Sequence, residues 1–270
     1  MVGEVWSRDG LAVRYDVVGR GAPALVFVHG WSCDRSYWRY QTGYFAERST
    51  VVAVDLAGHG ESGTGRVEWT MGSFGDDVVA VIDGLDLREV VLVGHSMGGD
   101  VVVEAARRRP DRVLGLVWVD TYRELSASAE GDWADDELES FVARFRADFA
   151  GATRDFVRGL FGPHADHDLV ECVAADMAAA PPEIALDALG RAVINEWAAL
   201  TALREADVPL VAINPDYRPT DRVSLERHGV SVVVVPGVGH FVMLEDPPGF
   251  NRALEGVVDR FLASGGRRPV

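Results

Sequence analysis

Four short runs in the first half of the chain are apolar at every position, and each halts on Gly, His or Asp. ALVFV (24–28) stops at His29-Gly30, VVAV (51–54) at Asp55, VVLV (90–93) at Gly94 and LVWV (116–119) at Asp120. A strand with one wet face alternates apolar and polar residues. A run without alternation is covered on both faces, as parallel strands are inside an α/β sheet. Helix-length segments lie between the runs, at 35–46, 73–85 and 97–109, the last closed by Pro110. Strand–helix alternation implies right-handed crossovers and a doubly wound, mostly parallel sheet. Ahead of them, residues 11–18 are extended in character and turn at Gly19-Arg20-Gly21.

The rhythm breaks near Thr121. From there to about Ala199 no strand is expected; the stretch is rich in Ala, Asp and Glu, with Phe141, Phe145 and Phe149 on a four-residue spacing. It reads as an all-helical cap. Strand signals resume in VPLVAIN (208–214) and VSVVVV (230–235), and a final helix is expected over 248–262. Residues 1–120 and 200–270 are therefore expected to build one core domain, with 121–199 inserted as the cap. A length of 270 residues suits that arrangement.

Composition narrows the chemistry. Acidic residues number 42 against 26 basic ones, a net charge of −16, which disfavours nucleic acid and anionic membranes as partners. All of the basic residues are arginine. Without lysine there is no Schiff-base catalysis, no lysine-anchored pyridoxal phosphate and no phosphate-binding lysine of a P-loop. Two cysteines, Cys33 and Cys172, cannot form a disulfide framework or a cysteine-rich zinc site. The first ten residues lack the basic-then-apolar pattern of a secretory signal, and no apolar run approaches a bilayer span. The expectation is a soluble, cytoplasmic protein, monomeric or homodimeric, needing no cofactor or metal.

The strongest local signal is Gly94-His95-Ser96-Met97-Gly98-Gly99, directly after one strand and directly before a helix. G-x-S-x-G in that setting is a nucleophile elbow, a turn so tight that only glycine avoids collision with neighbouring backbone. Serine needs a base to take its proton. His240 follows the strand 230–235 through a Pro-Gly-Val-Gly loop, so it should stand at the same sheet edge as Ser96. An oxyanion hole needs two converging donors. The backbone N–H groups of Met97 and of Trp31, in the turn after ALVFV, are the candidates. His95 flanks the serine with its ring directed away from the hydroxyl, and with Phe241 it is assigned to the substrate pocket. His29 and His59 are expected to bond backbone, and His228 to lie at the surface.

These residues resemble the α/β-hydrolase family. The matching segments are His29-Gly30-Trp31, Asp55-Leu56-Ala57-Gly58-His59-Gly60-Glu61-Ser62, the elbow, and Gly239-His240-Phe241, in the family's order. The resemblance implies a Ser–acid–His triad, but the acid has two candidates. Most members carry it in a loop after the first strand beyond the cap. Here that loop reads Ile213-Asn214-Pro215-Asp216-Tyr217-Arg218, with Arg218 at the expected spacing and Asp216 near it. The haloalkane dehalogenase branch takes its acid from the strand before the cap, where Asp120 stands. Asp120 is favoured and Asp216 is kept as the alternative. Dehalogenation itself is disfavoured, because those enzymes use an aspartate nucleophile and this elbow presents Ser96.

The leading expectation is a serine hydrolase cleaving a small or medium apolar carboxylic ester, lactone or related acyl compound through an acyl-enzyme. The same triad also supports C–C bond hydrolysis, perhydrolysis and cofactor-free oxygenation, and some relatives are small-molecule receptors. Phe141, Phe145, Phe149, Phe156, Phe161 and Trp197 either roof the pocket or pack cap on core. Cys33 is a small buried side chain or a pocket lining. His164-Ala165-Asp166-His167-Asp168 reads as a solvated acidic turn more than as a metal site.

Overall fold

In the computed structural model, residues 1–125, 135–191, 201, 203–204 and 207–265 are described, and side chains at 135–138 are excepted. Eight strands form one sheet: β1 Val2–Trp6, β2 Ala12–Val18, β3 Ala24–Val28, β4 Thr50–Val54, β5 Val90–His95, β6 Val113–Val119, β7 Leu210–Pro215 and β8 Val230–Val235. Their order is β1-β2-β4-β3-β5-β6-β7-β8. The β1–β2 and β2–β4 pairs are antiparallel and the remainder parallel. β3 and β5 are buried at every position, as runs without alternation require. β1 was not expected: VGEVW alternates exposed and half-buried positions on an outer edge and carries no continuous apolar signal.

The core helices include α1 (Arg39–Phe45), α2 (Met71–Gly84) and α3 (Met97–Arg108). A capping box closes the start of α2: the Ser73 amide donates to Thr70 Oγ1, and the Thr70 amide donates to Ser73 Oγ. The insertion supplies α4 (Asp135–Ala147), α5 (Phe149–Arg158), α6 (His167–Met177) and α7 (Pro182–Arg191); Trp197 lies outside the described residues. After β7 come α8 (Arg222–Arg227), β8, a single turn α9 (Val242–Glu245) and the long α10 (Pro247–Ser264). α10 buries Phe250, Leu254, Val257 and Phe261, and the Phe261 ring fills the space where a side chain at Gly115 of β6 would lie. No described helix is long and apolar enough to cross a membrane.

Because β5, β6, β7 and β8 run parallel, their carboxyl ends share one edge. His95 pairs with Val119, Val119 with Ile213 and Pro215 with Val235. Ser96, Asp120, Asp216 and the His240 loop all leave the sheet there, at the crevice where open α/β sheets collect their ligands.

Candidate active site

Ser96 sits between β5 and α3 with φ 52° and ψ −122°, a strained conformation for a residue bearing a side chain. Its amide donates to Val119 O of β6, and its carbonyl accepts from the Gly99 amide, so both sides of the corner are held. Glycine is required around it. A Cβ at Gly94 would stand 2.2 Å from Gly98 O, and one at Gly98 would stand 2.5 Å from His29 O. The corner therefore lifts the serine side chain into a cavity of about 760 Å³ that Trp31, Met97, Asp120 and His240 also line. The Met97 and Trp31 amides have no hydrogen-bond partner among the described residues. Gly30, just before Trp31, packs closely on the corner: a Cβ there would stand 3.2 Å from Ser96 Cβ.

His240 Nδ1 lies 2.6 Å from Asp120 Oδ2. Asp120 is almost fully buried and, like Ser96, has a positive φ, 47°. Burial alone would raise its carboxyl pKa. The hydrogen bond from His240, with the charges of His240 and Arg123, outweighs that and holds it below the ordinary value. Asp216 does not reach the imidazole: it is exposed, and its Oδ1 accepts the Gly237 amide, closing the loop that leads to His240. Arg218, at the spacing where the family pattern has an acid, turns its guanidinium toward the Tyr217 ring, 5.4 Å from its centroid.

His95 is fully enclosed, with its ring 4.5 Å from that of His240. Its Nε2 is 3.0 Å from His240 O, so Nε2–H donates to the backbone of the base loop. Nδ1 then carries a lone pair with no partner. Burial, then the neighbouring His240, drives the His95 pKa well down, and the ring stays neutral. Elsewhere, Leu56 N donates to His29 Nε2, and His59 Nδ1 meets Ala57 O, so both rings serve backbone turns. His228 is half-buried rather than fully at the surface.

The cap is docked through aromatics and backbone. Phe145, Phe149 and Phe156 meet the Trp31 ring edge-on at 5.5, 6.0 and 6.4 Å, and Trp31 Nε1 donates to Ala185 O of α7. Phe161 stacks on Phe241 at 4.9 Å. Of the expected ceiling aromatics, Phe141 and Phe156 line the cavity, Phe145 is buried behind them, and Cys33 lines its floor. The lining is not wholly apolar: Arg123, Glu124, Arg144 and Arg218 stand on it too. At one corner the cap and the base loop touch by backbone. His240 N donates to Leu160 O, and the amides of Gly162 and Gly239 both donate to Glu245 Oε2. In the 164–168 segment Asp166 Oδ1 accepts the Leu169 amide at the start of α6, and His167 Nδ1 lies 3.8 Å from Asp168. Among the described residues no three His, Cys, Asp or Glu side chains gather as metal ligands would.

Sequence reasoning missed Arg123, Tyr217 and Glu245. Each acts through side-chain contacts with a segment far along the chain, and none carries a motif.

Sheet order, elbow corner and cavity together define an α/β-hydrolase. The model of the alpha/beta hydrolase family matches residues 25–253, and the chain belongs to that family. It is 27% identical over 260 residues to 3-oxoadipate enol-lactonase 2 of Acinetobacter baylyi, covering 93% of this chain and 94% of that one. It is 39% identical over 113 residues to a protein of Mycobacterium phage D29 named as a non-heme haloperoxidase, covering 42% of this chain and 40% of that one. With that protein and two other curated relatives of similar identity, the chain spans only 28% to 40% of the relative's own length. Among solved structures, the N-acyl homoserine lactone degrading enzyme Est816 superposes with a TM-score of 0.78 at 25% identity, covering 94% of this chain and 99% of that one.

Proposed function

We propose that the protein is a serine hydrolase that cleaves a small or medium carboxylic ester or lactone through an acyl-enzyme. The observation that carries this reading is the cavity itself, which Ser96 shares with the His240–Asp120 pair and with Trp31 and Met97, whose amides have no hydrogen-bond partner among the described residues. Ser96 Oγ attacks the acyl carbon as His240 takes its proton. The Met97 and Trp31 amides receive the oxyanion, and protonated His240 returns the proton to the leaving alkoxide. Water then repeats the sequence on the acyl-serine, releasing the acid and restoring the hydroxyl. Asp120 holds the imidazole in the tautomer with Nδ1–H and stabilises its charged form. The Met97, Phe141, Phe156 and Phe241 side chains favour an apolar acyl group.

The likeness to the lactonase and to the lactone-degrading enzyme supports the ester and lactone class. The haloperoxidase likeness supports a second reaction on the same intermediate: hydrogen peroxide in place of water would release a peracid and the free serine. A fluorophosphonate probe tests the nucleophile. Labelling that is absent in Ser96→Ala, together with steady turnover of short p-nitrophenyl esters, is the expected result. Labelling with turnover below about one per hour would mark a receptor instead, since enzymes run near 1–10³ per second. Failure to label at all would overturn the assignment.

A further inference from the structure

In this chain the loop after β7, where the family pattern has its acid, carries none that reaches the base. It is instead wrapped around the acid at the end of β6. Tyr217 Oη donates to Asp120 Oδ2 at 3.1 Å, the oxygen that also receives His240 Nδ1. The Arg123 guanidinium donates to the other oxygen, Oδ1. The same guanidinium donates to the carbonyls of Pro215 and Arg218 and lies over the Tyr217 ring at 4.6 Å. Two further bonds fasten the segments together. Asp221 N donates to Arg123 O, and Asn214 Nδ2 donates to Tyr122 O. All three donors to the Asp120 carboxylate are therefore fixed from outside it, and burial pushes the Tyr217 phenol pKa up, so its proton stays in place.

We propose that Arg123 and Tyr217 are the positioning residues that fit Asp120 to its task, orienting its carboxylate toward His240 and setting how strongly it favours the protonated imidazole. This rests on the serine-hydrolase reading above. A carboxylate with both oxygens engaged has one rotameric setting, and Oδ2 in that setting faces the ring. The guanidinium also neutralises part of the carboxylate charge. Without Arg123 the full carboxylate charge faces the ring. Among the described residues, the titratable and charged groups around the His240–Asp120 pair include His95 from β5, Arg123 from the segment after β6, Tyr217 from the loop after β7, Glu245 of α9, whose carboxylate accepts the Gly239 amide, and Arg218, which lines the same cavity. Of these only Arg123 is a permanent charge bonded to the carboxylate.

The test is the pH profile of kcat/KM with a p-nitrophenyl ester, normalised to the fraction of sites that a fluorophosphonate labels. In Arg123→Gln the acidic limb should move to higher pH by roughly half to one unit, with kcat per site lowered about tenfold or more. Arg123→Lys, which keeps the charge and loses the fork, should return the limb toward its original position without restoring kcat. Tyr217→Phe should lower kcat several-fold with KM little changed. Limbs that coincide in all three variants, or losses that vanish once activity is expressed per labelled site, would overturn the proposal. Should Arg123→Gln not fold, Tyr217→Phe and Arg123→Lys decide: kcat per site within twofold of the parent in both would sink it. Asp120→Asn run alongside separates the two ideas. Full activity there would remove the triad reading, whereas severe loss there with indifferent Arg123 and Tyr217 variants would remove only this one.

Discussion

His240 Nδ1 and Asp120 Oδ2 meet at 2.6 Å across 120 residues of chain. The contact joins the loop after β8 to the end of β6, and it passes over the loop after β7 that lies between them in the sheet. Asp216 in that intermediate loop is turned to the Gly237 amide instead.

Asp120→Asn should therefore depress kcat by about 10⁴, the scale of losing the correct imidazole tautomer. Asp216→Asn should keep most of the activity. Steady-state kinetics on the two variants checks this, and the reverse outcome would move the acid to the later loop.

Gly98→Ala forces a methyl group against two backbone carbonyls, His29 O at 2.5 Å and Val28 O at 2.6 Å. Neither can yield without shifting β3, so a loss of about 1–3 kcal/mol or more is expected, together with loss of esterase activity. Gly43→Ala in α1 is the control. A Cβ there meets nothing within 4 Å, and a helical glycine replaced by alanine gains about 0.5–1 kcal/mol. Urea denaturation of both should give shifts of opposite sign.

Phe145 is fully buried between Trp31, Phe141 and Phe156, so Phe145→Ala opens a cavity at the seam between cap and core. A cost of about 3–5 kcal/mol is expected. Because the seam borders the Trp31 turn, KM for an apolar ester should rise as well. Thermal unfolding with parallel kinetics reads both, and an unchanged midpoint would refute the packing argument.

Burial holds the pKa of His29 at about 4 and that of His59 at about 3, and drives His95 well down. In the unfolded chain each titrates near 6.5. Between about pH 6 and pH 4 the unfolded state therefore binds protons that the folded state refuses, so stability falls as pH falls. Each ring contributes up to about 1.4 kcal/mol per pH unit in that window. Urea midpoints at pH 7, 6 and 5 should fall at each step and more steeply at the second; a flat series would contradict it.

Much of this is legible in the sequence, and for physical reasons. Strands covered on both faces must be apolar throughout, so β3, β4, β5 and β6 announce themselves. The elbow is legible because backbone collisions at Gly94 and Gly98 leave no other residue possible. β1 escaped notice because an edge strand needs no unbroken apolar run. The choice between Asp120 and Asp216 could not be read from spacing, because each ends a strand on the same sheet edge. What separates them is which side chain the Gly237 amide and the Arg123 fork claim, contacts made only once distant segments meet. Arg123 and Tyr217 escaped for the same reason.

One corner of the molecule has a mechanical consequence. The backbone of Leu160–Gly162 is bonded to Gly239-His240 both directly and through the Glu245 carboxylate. That end of the roof cannot swing outward without dragging the imidazole off its station, so it behaves as a fixed pivot. A variant library seeking bulkier esters should leave this hinge pin alone and vary Phe141 and Arg144, which line the cavity from the cap.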